Sequence, residues 1–210
     1  MRIRRSVAAF AVVLALVAVG AAAPVQAAGE EIVIKKTGLF PSSPTEWIDP
    51  GAAYTTLAWQ LGYATCLKLL NYDEVTGQLG PDAATAFPIV SNLGLTYTFT
   101  IAPGHRFSDG TAVDAASFKR GIERATSPAM VASGGGDARG LVSDIVGAPA
   151  HFSSGGGISG IVAAGDQLSI TLTAPAGEFL SRITAQFFCA THPDAPPGFS
   201  SANWPSTDQS

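Results

Sequence analysis

Cysteine, histidine and methionine are scarce in this chain of 210 residues: two, three and two, respectively. His105, His151 and His192 stand far apart and share no ligand spacing with one another or with the cysteines, which argues against a metal centre. They read as surface or turn residues. No G-x-S-x-G is present, and no Ser-His-Asp or Cys-His arrangement has motif support. The acid pairs Asp73/Glu74 and Asp49/Asp82 share no element that would hold two carboxylates over a bond. No catalytic residue, metal or cofactor is therefore assigned, and a secreted hydrolase is the weakest of the functional readings. Gly134-Gly135-Gly136 lacks the Lys, the Ser/Thr and the strand-to-helix context of a phosphate loop. Charge is sparse as well, with 12 Lys+Arg against 16 Asp+Glu. The acidic balance argues against nucleic acid or an anionic membrane surface as a partner.

The one long apolar run lies at the N-terminus. Arg2, Arg4 and Arg5 precede a stretch from Val7 to Ala23 that is almost purely Ala, Val, Leu and Phe. Val25-Gln26-Ala27 then places small or short residues where a signal peptidase reads, so residues 1–27 are expected to be a signal peptide, with Ala28 a neighbouring cleavage point. A retained anchor is the competing reading, but a run of about seventeen residues is short for a membrane span. No Cys stands near the cut, so lipid attachment is not expected. Cleavage would remove three basic residues and no acid, leaving nine against sixteen and a formal charge of −7. The remaining length suits one core-forming domain. Export to the periplasm, cell surface or medium is oxidising, so Cys66 and Cys189 are expected to form a disulfide.

Along the expected mature chain, Glu31 to Lys36 reads as a strand and Trp47 to Gly51 as a turn. Thr55 or Thr56 caps a helix expected to reach about Leu70. Trp59, Tyr63, Cys66 and Leu70 recur at helical spacing, Leu57, Leu61 and Leu67 widen the apolar surface, and Lys68 is the lone charge. This helix is expected to be substantially buried, with its aromatics in the core. Residues 71–79 read as a hairpin turning at Glu74 to Gly77, and Gly80-Pro81-Asp82 as the start of a short helix. Leu95 to Ile101 alternates apolar residues with Thr, the pattern of a half-buried strand. Asp109-Gly110 is a turn pair. Asp114 is placed as an N-cap, with Val113 and Phe118 spaced as a hydrophobic staple. Phe118, Ile122 and Ala125 form one helical face, Lys119, Arg120, Glu123 and Arg124 a solvated one, and Ser127-Pro128 the stop. Ala129 to Gly140 reads as loop, and Val142 to Ala150 as a short helix or turn. Ile158 to Ala164 and Gln167 to Thr173 read as a hairpin about Gly165-Asp166, and Glu178 to Phe187 as a helix. Residues 191–210, rich in Pro and Ser, read as a loop or disordered tail.

Several of these segments, in this order, resemble one family: the extracytoplasmic peptide- and nickel-type solute-binding proteins of ABC importers. Ile48-Asp49-Pro50, Asn71-Tyr72-Asp73 through Gly80-Pro81, Tyr97 to Ile101, Phe107-Ser108-Asp109-Gly110-Thr111, Ile145 to Ala148, Ile158 to Ile161 and Gln167 to Pro175 carry the likeness. Asn92-Leu93-Gly94 departs from the family's Asp-Asp-Gly type turn, and Ile101-Ala102 from its Leu-Arg. The resemblance implies a mixed α/β lobe of the periplasmic-binding-protein-like type II fold: residues 28–190 as the first lobe with its accessory subdomain, and a second lobe absent from this chain. It further implies no enzymatic activity. The implied function is capture of a small solute, a peptide above all, by a monomer that delivers it to an ABC permease. The different reading is a truncated, non-binding lobe that persists as an inactive or interaction module. The family's cleft is bordered by the loop after the first strand, so Phe40, Trp47 and Asp49 are the implied ligand contacts.

Overall fold

The computed structural model describes residues 49–135 and 138–199. The signal segment, the Glu31–Lys36 strand, Phe40, Trp47 and the last eleven residues of the tail lie outside them. All described residues fall within the unit Phe40–Ser210. The described residues form the helices α1 (Thr56–Thr65), α2 (Ala115–Ala125), α3 (Pro128–Ala132), α4 (Ala148–Ser154) and α5 (Phe179–Arg182). They also form the strands β1 (Leu70–Tyr72), β2 (Leu79–Pro81), β3 (Ile89–Ser91), β4 (Thr96–Thr100), β5 (Ile161–Ala164) and β6 (Gln167–Thr171).

Four strands form an antiparallel sheet in the order β3-β4-β6-β5, and β1 pairs with β2 as a separate hairpin. The Thr-apolar alternation of β4 resolves as expected. Tyr97 and Phe99 point into the core together with Leu168 and Ile170 of β6 and Ile161 of β5. On the opposite face Thr98 and Ser169 share a side-chain hydrogen bond of 2.9 Å and Thr96 and Thr171 one of 3.2 Å. Helix α2 covers the inner face with Phe118, Ile122 and Ala125. Its start is as the sequence indicates: the Ser117 amide donates to Asp114 Oδ1 at 2.9 Å, and the Asp114 amide donates to Ser117 Oγ at 3.3 Å. This capping box has Ser where Glu or Gln is usual.

Gly121 is where α2 meets the backbone at Cys189. A Cβ there would collide with the Cys189 carbonyl oxygen, a fixed backbone atom. Gly121→Ala is therefore expected to lower stability by about 1–3 kcal/mol, against the small gain that Ala gives in an ordinary helix. Urea unfolding followed by circular dichroism measures the difference.

Several boundaries differ from the sequence expectation. Helix α1 ends at Thr65 rather than near Leu70, because Cys66 turns to extended backbone and the chain enters β1. Residues 82–88 form bends about a single β-bridge from Ala84 to Ile101 rather than a helix. Ala129 to Gly140 is not all loop: Ser127 caps α3, accepting from the Met130 amide at 3.1 Å, and Pro128 occupies the first turn, where its missing N–H costs nothing. The helix expected over Glu178 to Phe187 is split into α5 and a 3₁₀ turn at Gln186–Phe188. Strand β3 had no detectable pattern, since all three of its residues are exposed at the sheet edge.

The β3–β4 connection holds Asn92 and Leu93 at φ of +50° and +55°. Leu93 is a bulky residue in the left-handed region and is 96% exposed, so no packing offsets its strain. Leu93→Asn is expected to raise stability by about 1 kcal/mol, read as a higher thermal midpoint with unchanged circular dichroism.

Candidate functional site

Helix α1 forms one wall of an open groove of about 280 Å³ lined by Trp59, Tyr63, Lys68, Asn71, Tyr72 and the segment 184–187. The helix begins at Thr55, whose Oγ1 accepts from the Ala58 amide at 3.2 Å. The expectation that α1 buries its aromatics is overturned. Trp59 is 48% and Tyr63 37% exposed. Among the described residues of α1, the buried ones are small, Ala58 and Gly62. A Cβ on Gly62 would come within 2.7 Å of Gln186 Oε1, so the helix sits tight against the segment before Cys189. Trp59 and Tyr63 flank this contact instead of filling it.

Polar contacts hold the flanking aromatics in place. Trp59 Nε1 donates to the Ala53 carbonyl at 3.0 Å, and the Tyr63 hydroxyl donates to the Tyr72 carbonyl at 2.6 Å. Trp59 and Phe187 meet edge to face with ring centroids 6.4 Å apart. The expected disulfide between Cys66 and Cys189 is formed, with Cα atoms 5.5 Å apart. It ties the end of α1 to the opposite wall, next to the bond from the Ala190 amide to the Leu67 carbonyl.

Lys68 is the charged member of the groove. It is only 3% exposed. Its Nζ lies 4.9 Å from the centroid of the Tyr63 ring and donates to Asn71 Oδ1 at 3.3 Å. Burial lowers the Lys68 pKa, because the charged form loses hydration, and the negative charge of Asp82 acts in the opposite sense. The Asp82 carboxylate itself accepts from the Lys68 backbone amide at 3.0 Å. Sequence reasoning did not assign Lys68, Asn71, Tyr72 or Phe187. The available signal was a single charge inside the apolar stretch from Leu57 to Leu70.

A larger hollow of about 450 Å³ lies beside α2 and α4, lined by Arg120, Glu123, Arg124, His151 and residues 155–157 among others. Most of its ionisable groups already serve the chain. Glu123 accepts from the Ile158 amide at 2.7 Å and lies 3.2 Å from Lys119 Nζ. The His151 ring sits between the carbonyls of Glu123 and Gly156. Arg124, expected on a solvated face, is buried: it donates to both oxygens of Asp49 at 2.7 and 2.5 Å and, through Nε, to the Pro196 carbonyl at 2.6 Å.

Of the three implied ligand contacts, Phe40 and Trp47 lie outside the described residues. Asp49 is 1% exposed and is engaged by Arg124 and by the Gly51 amide. It anchors the loop. Two of the three histidines also depart from the expectation, since His151 and His192 are buried. His192 Nε2 lies 3.1 Å from Asp109 Oδ2, in a turn where bonds from the Thr111 amide and hydroxyl, more than His192, lower the Asp109 pKa. Among the described residues no three His, Cys, Asp or Glu side chains gather as a metal site.

The chain is thus a mixed α/β lobe carrying an aromatic groove with a buried lysine. The sequence model of the bacterial extracellular solute-binding proteins, family 5 Middle, matches residues 78–208, and the chain belongs to that family. Among solved structures, the pheromone receptor PrgZ, described with its mode of peptide binding, is similar at 27% identity and a TM-score of 0.62 over 70% of this chain and 28% of its own. The substrate-binding domain of an oligopeptide ABC transporter from Bacillus anthracis matches at 21% identity and a TM-score of 0.61, covering 69% and 27%. Peptide-bound OppA of Listeria monocytogenes matches at 20% and 0.61, covering 69% and 28%. This chain thus spans little more than a quarter of the length of these structures. No match was found among the curated proteins.

Proposed function

We propose that this protein is the extracytoplasmic substrate-binding component of an ABC transporter, capturing peptides or a related small solute for delivery to a membrane permease. The observation that carries the reading is the open aromatic groove on a family 5 lobe. Exposed Trp59, Tyr63 and Tyr72 offer flat apolar faces at little entropic cost, while the Tyr72 carbonyl and Asn71 offer polar contacts beside them. PrgZ, the most identical of the three structures above, is described as binding peptide. Phe40 and Trp47 are proposed as further contacts on the loop before Asp49. Residues 1–27 are proposed to direct export and to be removed, residues 28–190 to form the lobe and residues 191–210 its tail. The exported protein is proposed to act as a monomer without enzymatic activity. No helix of the described residues is long and apolar enough to cross a membrane.

Isothermal titration of the exported protein with a mixture of short peptides tests the reading. Saturable heat is expected, and Trp59→Ala is expected to weaken binding about tenfold or more, as loss of a central aromatic contact does. Absence of heat at high protein and peptide concentration would overturn it.

A further inference from the structure

Helix α2 is followed closely by α3, and the chain that leaves Cys189 passes back over both. Its first part belongs to the core, since Phe187 to His192 are buried. Burial stops there. Residues 193–199, Pro-Asp-Ala-Pro-Pro-Gly-Phe, are half-buried or exposed throughout, and they meet the helices through backbone groups. The Pro196 carbonyl accepts from Arg124 Nε at 2.6 Å, and the Pro197 carbonyl from Ser127 Oγ at 3.4 Å. The Phe199 amide donates to Ser133 Oγ at 2.8 Å. Proline has no N–H, so Pro196-Pro197 presents carbonyls alone, and the helices set an arginine and a serine donor against them. An extended Pro-Pro pair makes no hydrogen bonds within itself and loses little freedom on docking. Gly198 comes so close to α3 that a Cβ would lie 3.0 Å from the Ala129 carbonyl oxygen and 3.2 Å from Ser133 Oγ. The surface therefore favours glycine after the two prolines.

We infer that α3 and the end of α2 form a docking surface for an extended Pro-Pro-Gly segment, which the chain's own residues 194–199 occupy as a detachable strap. None of residues 193–199 is buried, so the strap lifts without opening the core. Its root stays fixed: the Thr191 amide donates to the Ser117 carbonyl at 3.0 Å, and Arg120 Nε donates to the Thr191 carbonyl at 2.9 Å. Ala195 and Pro197 also wall the hollow of about 450 Å³, so lifting the strap opens that space. Tethered at Thr191, the strap faces its surface at an effective concentration on the order of millimolar. A free peptide of the same sequence therefore binds well only where the strap has been displaced. Arg124, Ser127, Ala129 and Ser133 take no part in lining the aromatic groove, so the strap and peptide capture in that groove stand or fall separately.

The test uses the full exported protein, native and as Gly198→Val, with a fluorescein-labelled hexapeptide amide of the sequence Asp-Ala-Pro-Pro-Gly-Phe. Fluorescence anisotropy is expected to show saturable binding to Gly198→Val that is about tenfold or more tighter than binding to the native protein, whose own strap competes. The same peptide with Val in place of its Gly is expected to bind the variant about tenfold more weakly, the scale of an overpacked contact. Adding Ser133→Ala is expected to weaken the Gly peptide about fivefold, the scale of one hydrogen bond. Phe199→Pro, which removes the bonded N–H, is a second substitution expected to open the surface to the peptide. Hydrogen exchange reports the strap directly: the Phe199 amide is expected to exchange faster in Gly198→Val, while the Thr191 amide stays protected. An unchanged Phe199 amide would show that the surface does not demand glycine and would overturn the inference. A released strap with no peptide bound, or equal binding of the Gly and Val peptides, would overturn it too.

Discussion

Arg124→Met is expected to destabilise the protein by about 3–5 kcal/mol, the penalty for leaving one member of a buried ion pair without its partner. Both guanidinium Nη atoms reach the Asp49 carboxylate, at 2.7 and 2.5 Å, and both residues are buried. Removing the guanidinium strands the Asp49 charge, with the Gly51 amide at 2.9 Å the one partner left to that side chain among the described residues. The substitution also frees the Pro196 carbonyl, which Nε holds at 2.6 Å. One side chain on α2 therefore ties together a loop far upstream and a segment far downstream. The double substitution Asp49→Leu with Arg124→Met removes both charges and is expected to recover much of the loss, since an apolar pair of similar volume is often neutral in such positions. Urea unfolding of the two single variants and the double variant measures the coupling. Strict additivity of the two single losses would show that the pair does not act as a unit.

Replacing Cys66 and Cys189 together with Ala is expected to lower stability by about 4–5 kcal/mol in the chain-entropy description of a loop this long. The two cysteines are 123 residues apart in sequence, and the bond restrains most of the described chain in its unfolded state. The effect on α1 is expected to be local as well. Among the described residues of this helix the buried ones are the small Ala58 and Gly62, and its aromatics are half-exposed. The disulfide is a principal tie between α1 and the Gln186–Phe188 turn, the two walls of the groove. Two measurements check this. Dithiothreitol should shift the urea midpoint of the native protein toward that of the double variant and leave the double variant unmoved. Hydrogen exchange of amides in α1 should rise in the variant more than that of amides in β4 and β6, which are held inside the sheet. Two titratable thiols in denatured, unreduced exported protein would refute the pairing.

The parts of the fold that could be read from the residues are those with strong local chemistry. The alternation from Leu95 to Ile101 has only one consistent outcome for a half-buried strand, and β4 follows it. Asp114 and Ser117 satisfy the first amides of α2 within four residues of chain, so the cap is independent of tertiary context. Gly165, at φ +62°, turns the β5–β6 hairpin where Gly165-Asp166 indicated. The pairing of the only two cysteines left no alternative partner within the chain.

The groove was not legible in the same way. Helical spacing shows that Trp59, Tyr63 and Cys66 share a side of α1. It does not show whether core or solvent lies on that side. That was decided by Gly62, whose missing side chain lets the helix close on Gln186 and leaves the aromatics at the rim. Arg124 presents a similar case. Its position on α2 is just off the apolar face, and only the arrival of Asp49 from 75 residues upstream makes it a buried cation. Lys68 was visible as a lone charge, but its surroundings depend on Asn71 and Tyr63 meeting around it.

By itself the sequence determined the strand, the turn and the capped helix between Leu95 and Ala125, the single possible disulfide, and the family, because each follows from contacts between near neighbours or from ordered motifs. Only the tertiary structure decided which of the long side chains line the open groove and which hold the lobe together. Those choices depend on which distant segments come close enough to exclude water, a quantity that local spacing does not contain.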